Sequence, residues 1–469
     1  MMVNWLEEVE KRQEALIDDL FRLLRIDSVR DDAKATPEAP VGPGPKAALE
    51  EFLKMAQEDG FETKQFGPWA GRIEIGSGDE LMGILGHVDV VPAGSGWETD
   101  PFEPVIKDDR IYARGSSDDK GPTVAAYFAI KILRELGVEF NKRVHLIVGT
   151  DEESGWQCMD YYFKEAEMPD FGFSPDASFP IINGEKGNTS AIFTFPKPEE
   201  TAMGYTLVQF KAGLRPNMVP EDAKAVIEGS NLEFIQEAFD TFIGQQEDVT
   251  GESTLTDNSI ELTVYGKSAH GSTPSKGINA ATYLATILQK FEFNSQSAGD
   301  FVHLIGQLLH QNFDGSKLGV DHHHDVMGDV SMNVGIVNFD RLTGGSINAN
   351  FRYPEGTDPE TMLSQILTAV EGFDVEVKMT DAKEPHYVPA TDPLVETLLD
   401  VYHTQTGFEA HEQSIGGGTY GRLMPRGVAY GALFPDSIDT MHQANEFLAI
   451  KDLTRATAIY AEAIYRLTR

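Results

Sequence analysis

Five stretches rich in carboxylates and histidine lie scattered along the chain: Gly86-His87-Val88-Asp89, Ser117-Asp118-Asp119-Lys120-Gly121, Thr150-Asp151-Glu152-Glu153-Ser154-Gly155, Ser174-Pro175-Asp176 and Met441-His442-Gln443-Ala444-Asn445-Glu446. Imidazole nitrogen and carboxylate oxygen are the ligands that zinc accepts in sites with positions left open for water or substrate. Two such ions about 3.5–4 Å apart need one shared carboxylate and a few terminal ligands. His87, Asp118, Glu153, Asp176 and His442 form a set of that composition. Each alone carries little, because a lone Asp after a strand is commonly a helix cap and a lone His a core or surface residue. Together they predict one dinuclear metal site. On the residues alone, Asp119 competes with Asp118 for the shared position.

Two of the stretches suggest a division of labour. In extended backbone, residues i and i+2 face the same way, so Asp89 can hold the His87 imidazole and fix its tautomer. In Glu152-Glu153, one carboxylate can bind metal while its neighbour takes a proton from water. Without the other motifs, the same pair would read as a solvated acidic turn.

Such residues need rigid elements beneath them. Apolar runs at 81–85 and 144–148 read as buried strands ending just before His87 and Asp151. Ligand sites in open α/β sheets form beyond the carboxyl ends of strands. Apolar spacing predicts helices at 4–25, 47–59 and 121–136, the last opening directly after Asp118-Asp119-Lys120. Strand, ligand loop and helix thus alternate, which predicts an α/β fold with a mainly parallel sheet. After about residue 187 the pattern changes to short alternating segments (205–210, 223–228, 260–265, 346–351) separated by helices (231–243, 279–291, 359–372). This predicts an α+β lid domain at 188–383, long enough for two subdomains, interrupting a catalytic domain at 1–187 and 384–469. The closing helix is expected at 451–467.

Composition narrows the function. The net charge of −37 argues against nucleic acid, since phosphate binding needs clustered cations. Two metals would offset little of that charge, so most of it belongs to solvated surface. No apolar run approaches the roughly 18 residues of a membrane helix. Residues 1–12 are charged and lack the apolar core of a signal peptide, and Cys158 is the single cysteine. A cytoplasmic protein without disulfides is expected.

The motifs GHVDVVP, RGSSDDKG, GTDEESG, SPD and MHQANE, with the segment Gly266-Lys267-Ser268-Ala269-His270-Gly271-Ser272-Thr273-Pro274, resemble those of the dinuclear zinc amidohydrolases that include aminoacylases, carboxypeptidases and dipeptidases. The stretches 415–422 and 347–354 narrow the resemblance to the dipeptidase V type, and it spans the chain from about residue 10 to the end. The resemblance implies that Asp118 bridges the metals, that His87 and Asp176 complete one ion, and that Glu153 and His442 complete the other. It makes Glu152 the general base and His270 an oxyanion donor from the lid. Asn217 and Arg352 become substrate-binding residues, Arg352 through the substrate carboxylate. Where relatives often carry an apolar residue, this chain has Asp119. The resemblance also implies a monomer acting on dipeptides.

Other motifs weigh differently. Gly416-Gly417-Gly418-Thr419 lacks the spacing of a nucleotide loop; Gly416, Gly417 and Thr419 are candidates to hold a peptide carboxylate on backbone N–H groups, against the alternative of a tight turn. Asp321-His322-His323-His324-Asp325 reads as an exposed lid loop, because consecutive histidines cannot all face one tetrahedral ion. His145 reads as a core histidine and Cys158 as structural. No G-x-S-x-G elbow points to a covalent intermediate.

The expectation is hydrolysis of dipeptides with a free amine, by water activated between two divalent ions and Glu152. Zinc leads among the ions, with manganese and cobalt also suited to these ligands. The rivals are an N-acyl-amino-acid or succinyl-amine amidohydrolase of the same fold, and a non-catalytic metal- or peptide-binding protein.

Overall fold

The computed structural model describes residues 3–469. The chain forms two compact units, one built from the described residues up to 184 with 387–413 and 418–469, and the other from 185–386 and 414–417.

The first unit is organised by a six-stranded sheet in the order Glu62–Phe66, Ala70–Ile75, Arg143–Gly149, Leu81–His87, Phe171–Ser174, Gly427–Ala429. The last four strands of that order run parallel, and the first two are antiparallel additions at one edge. Leu81–His87 is buried along its whole length, as expected for a strand covered on both faces. Met82, Ile84, Leu146 and Val148 project into one core, with the helices Gln13–Leu24, Pro43–Glu58, Lys120–Glu135 and Ile450–Leu467. Leu85 and Ile147 project to the other face, against Cys158, Met159 and Tyr162 of the helix Gln157–Glu165. The alternation follows from the two-residue period of a strand.

Two helices differ from the sequence expectation. The helix expected at 4–25 is two, Trp5–Glu10 and Gln13–Leu24. Arg12 causes the break: its Nη1 donates to the Glu8 carbonyl at 2.8 Å, while its backbone N–H bonds Val9 instead. The helix expected from residue 47 starts earlier, as Pro43–Glu58. Prolines suit a first turn, where their missing N–H groups would have no helical partner.

The second unit carries an eight-stranded antiparallel sheet, ordered Thr250–Leu255, Ser259–Tyr265, Asp222–Glu228, Thr206–Ala212, Ser331–Asp340, Gly344–Tyr353, Gly187–Phe195, Glu376–Met379. Alternate residues such as Ala223, Ala225 and Ile227, or Ile260, Leu262 and Val264, enter one core with helices Leu232–Gly244, Ala280–Leu288, Gln296–Leu304 and Pro359–Ala369. Lys224, Glu261 and Thr263 lie on the opposite face; Lys224 and Glu261 pair there at 2.7 Å. Asn279 and Asp358 cap two of these helices by accepting first-turn N–H groups. No helix among the described residues is long and apolar enough to cross a membrane.

Candidate metal centre

The metal-ligand candidates of the sequence converge in the first unit. His87 ends a central parallel strand, Asp118 precedes the helix Lys120–Glu135, Glu153 follows the strand Arg143–Gly149, and Asp176 follows Phe171–Ser174. His87 Nε2 lies 3.2 Å from Asp118 Oδ1 and 3.6 Å from Asp176 Oδ2. His442 Nε2 lies 2.9 Å from the other Asp118 oxygen and 3.3 Å from Glu153 Oε1. Asp118 therefore stands between two imidazoles, each with a further carboxylate of its own. Ligand atoms of His87, Asp118 and Glu153 come within 4.8 Å of one another, as do those of His87, Glu152 and Asp176.

These residues fit a pair of divalent cations. His87 Nδ1 lies 2.9 Å from the Asp89 carbonyl oxygen, which can only accept, so Nδ1 carries a proton and Nε2 faces the carboxylates. His87 Nε2 and Glu153 Oε1 are buried atoms without a hydrogen-bond partner. Around both imidazoles the field favours positive charge. Burial disfavours the His87 cation, yet the neighbouring carboxylates of Asp118, Asp176 and Asp89 outweigh it and lift the pKa well above the ordinary histidine value. Asp118 and Glu153 raise His442 to about 10.

The carboxylates differ among themselves. Burial works against Asp118 ionising, but the two histidines hold it below the usual carboxylate range. Burial and the Asp118 charge push Asp176 up to about 7. Glu152 is raised well above its ordinary value by burial first and the Asp176 charge second. Burial also raises Glu153, against the pull of His442.

Asp119 faces elsewhere. Its Oδ2 accepts from the His87 N–H at 3.2 Å and from Thr123 Oγ1 at 2.8 Å. The close approach depends on Gly86: a Cβ there would fall 2.1 Å from Thr123 Oγ1 and 3.0 Å from Asp119 Oδ2. Asp119 thus braces the strand end that presents His87.

A second layer of contacts joins the ligand loops. The Asp89 carboxylate lies 3.3 Å from His87 Nδ1 and accepts the N–H groups of Glu152 and Glu153 at 3.2 and 3.1 Å. Asp151, fully buried, accepts from Arg30 at 2.9 Å and from the Gln157 N–H at 3.1 Å. Trp156 donates to the Glu152 carbonyl at 2.8 Å and packs edge-on against Tyr420, which also meets the His87 ring at 6.3 Å. Glu446 accepts from the N–H groups of Gly115, Ser117 and Asp118 while pairing with Arg114. Lys120 is buried and donates to the carbonyls of Leu23 and Ile26; burial lowers it to about 7. His442 itself adopts a left-handed backbone, φ 60°, a conformation a residue with a Cβ holds only under tertiary constraint.

The expected substrate residues are divided. His270, Asn217, Arg352, Gly416 and Gly417 belong to the second unit and Thr419 to the first. The Asn217 carbonyl accepts the Gly271 N–H at 2.7 Å, and Asn333 donates to the carbonyls on either side of Asn217, so the Asn217 and His270 loops are laced together. Arg352 Nη1 donates to the Gly416 carbonyl at 2.9 Å. Thr419 is buried and its hydroxyl accepts the Gly421 N–H at 3.1 Å, the geometry of a cap on the short turn Tyr420–Leu423.

His145 is a core residue, 2% exposed, lowered to about 4 by burial and by Arg72. Cys158 is buried against Tyr420, and burial pushes its thiol up to about 12. The three consecutive histidines turn to separate partners: His322 to the Glu355 carbonyl, His323 to Asp329, His324 to the N–H groups of Val326 and Met327. Sequence reasoning missed Glu446, Arg114, Arg30 and Tyr420. Glu446 had a signal, since it closes the same motif that carries His442.

With this geometry in place, comparison with known proteins gives a consistent answer. The model of "Peptidase family M20/M25/M40" matches residues 83–466. A Staphylococcus epidermidis protein named "Putative dipeptidase" is 46% identical over 468 residues, 99% of both chains. The chain belongs to peptidase family M20/M25/M40. Among solved structures, the aminoacylhistidine dipeptidase of Vibrio alginolyticus is similar in fold, with a TM-score of 0.57 at 12% identity, covering 97% of this chain and 96% of that one. A dinuclear metal-binding M20 peptidase of Bacillus subtilis matches with a TM-score of 0.50 at 11% identity, covering 97% and 99%.

Proposed function

We propose that this peptidase is a dinuclear metal-dependent dipeptidase that cleaves the peptide bond of dipeptides with a free amine. The observation that carries this reading is the position of Asp118 between His87 and His442, each with its own second carboxylate. His87 and Asp176 would hold one ion, Glu153 and His442 the other, with Asp118 shared; zinc suits the donor set best, and manganese or cobalt also fit it. When bound, the ions supply Lewis-acid polarisation of the scissile carbonyl and make water more acidic.

The chain's residues do the rest. Glu152 takes a proton from the attacking water as the water oxygen bonds the carbonyl carbon, and returns it to the amine as the C–N bond breaks. Asp89 holds the His87 ring and the backbone of Glu152 in one arrangement. His270 donates to the developing oxyanion, and Asn217 assists in binding the substrate. Arg352, with the backbone of Gly416 and Gly417, receives the substrate carboxylate; Thr419 shapes that loop. Fixing the free amine and the carboxylate together would limit substrate length to two residues. The single cysteine supports a reducing, cytoplasmic setting, and the long insert supports a monomer.

Parallel assays on a free-amine dipeptide and its N-acetylated form test the reading. Cleavage of the free dipeptide alone is expected, and preference for the acetylated form would favour an N-acyl-amino-acid amidohydrolase instead. Glu152→Gln should keep its metal and lose about 10²–10⁴-fold in kcat. Unchanged hydrolysis in that variant would remove Glu152 from the mechanism.

A further inference from the structure

His270 is held by its own loop in a way that determines its protonation pattern. Its Nδ1 accepts the Ser272 backbone N–H at 3.2 Å and lies 2.7 Å from Ser272 Oγ. A backbone N–H can only donate, so Nδ1 must present a lone pair. The hydroxyl then donates to the same nitrogen, and the ring proton of the neutral imidazole resides on Nε2. The Thr273 N–H bonds the His270 carbonyl at 3.0 Å, closing the turn around the ring.

Ser272 is itself fixed by a neighbour distant in sequence. A Cβ at Gly416 would fall 2.5 Å from Ser272 Cβ, so only glycine lets the two segments approach this closely. The Gly416 carbonyl is in turn bonded by Arg352. His270, Ser272, Gly416 and Arg352 therefore form a continuous line of contacts within one unit.

We propose that Ser272 is a positioning residue that locks His270 as the Nε2–H tautomer and joins it to the Arg352–Gly416 pair. The catalytic consequence rests on the reading of His270 as an oxyanion donor, whereas the tautomer rests on the contacts alone. An oxyanion needs an N–H, and Nε2 is the ring nitrogen that the turn leaves facing outward from Ser272. Two donors on Nδ1 also discourage a proton there. Burial and the Arg352 charge lower the His270 pKa, which works in the same direction. A substrate carboxylate drawn to Arg352 would pull on the Gly416 carbonyl bond and so be felt at the ring.

The test is nitrogen NMR on the metal-loaded full chain with ¹⁵N-labelled histidine, His270 being assigned by its loss in His270→Gln. Wild type should show a protonated Nε2 and an unprotonated, hydrogen-bonded Nδ1. Ser272→Ala should move the Nδ1 resonance toward that of a free nitrogen or introduce an Nδ1–H population. Its kcat on a dipeptide should fall on the order of tenfold, with KM within about twofold. Gly416→Ala, which displaces Ser272 without touching the ring, should shift the same Nδ1 resonance. A protonated Nδ1 in wild type would overturn the proposal, as would a Ser272→Ala variant whose spectrum and kcat are both unchanged. If wild type cleaves no dipeptide, the functional reading falls, yet the spectrum still decides the tautomer.

Discussion

Glu446 and Arg114 form a buried ion pair, with Oε2 2.6 Å from Nη1 and both side chains 1% exposed. The other Glu446 oxygen accepts the N–H groups of Ser117 and Asp118 at 2.8 and 3.2 Å. One carboxylate, four residues after His442, thus anchors the backbone beneath Asp118. Arg114 adds donations to the carbonyls of Pro92 and Ala93 and stacks over Trp97 at 5.3 Å.

Removing Glu446 should therefore be costly twice over. Glu446→Ala leaves a buried guanidinium and unpaired N–H groups, and is expected to cost about 3–5 kcal/mol in urea unfolding. It should also weaken metal binding by roughly 10–100-fold. Glu446→Gln keeps an acceptor and should lose less of both. A Glu446→Ala protein as stable as wild type would show that the pair contributes no net stability.

Metal stoichiometry should separate shared from terminal ligands. Asp118→Asn should bring metal content from about two ions per chain toward none, while His442→Ala should retain about one. Elemental analysis after dialysis reads this directly. Equal losses in the two variants would contradict a shared role for Asp118.

Gly86 and Thr123 should be energetically coupled. Gly86→Ala places a methyl against Thr123 Oγ1, and overpacking of this kind costs about 1–3 kcal/mol. Thr123→Ala loses the hydrogen bond to Asp119 but vacates the space the methyl needs. The double variant should be destabilised by less than the sum of the single ones, by about 0.5–3 kcal/mol. Additive losses in a double-mutant cycle would mean that the strand end yields elsewhere.

His145 should make the protein acid-sensitive. Burial and the Arg72 charge hold its folded pKa at about 4 against an ordinary value of 6.5. Between those values the unfolded chain binds the extra proton, so stability falls as pH drops from about 6.5 toward 4, by up to about 3 kcal/mol. His145→Asn should flatten that part of the profile. Identical pH profiles for variant and wild type, measured by thermal unfolding, would show that His145 does not titrate as its burial requires.

Much of the candidate site was legible because each proposed ligand sits beside an element with its own sequence signal. Arg143–Gly149 extends the apolar run 144–148 by one residue at each end, and Leu81–His87 extends the run 81–85 only by Gly86 and His87. Arg12 was not legible, because apolar spacing runs through it unchanged and only the side chain's bond to the Glu8 carbonyl breaks the helix. Glu446 closes the motif that carries His442, yet nothing local marks its role. Its work depends on Arg114, 332 residues away in the chain, and such pairings leave no local pattern. The choice between Asp118 and Asp119 also needed coordinates, because adjacent carboxylates differ only in where the backbone aims them.

Asp89 gives the site a shared hinge pin. One small carboxylate touches the ring of His87 and the backbone of both glutamates. A displacement of the first imidazole therefore reaches Glu152 through a fixed linkage rather than through solvent. Under the proposed roles, damage at Asp89 would not produce an enzyme that binds metal poorly but transfers protons well, or the reverse. It would degrade both tasks in proportion, and selection acting on either task would act on the same residue.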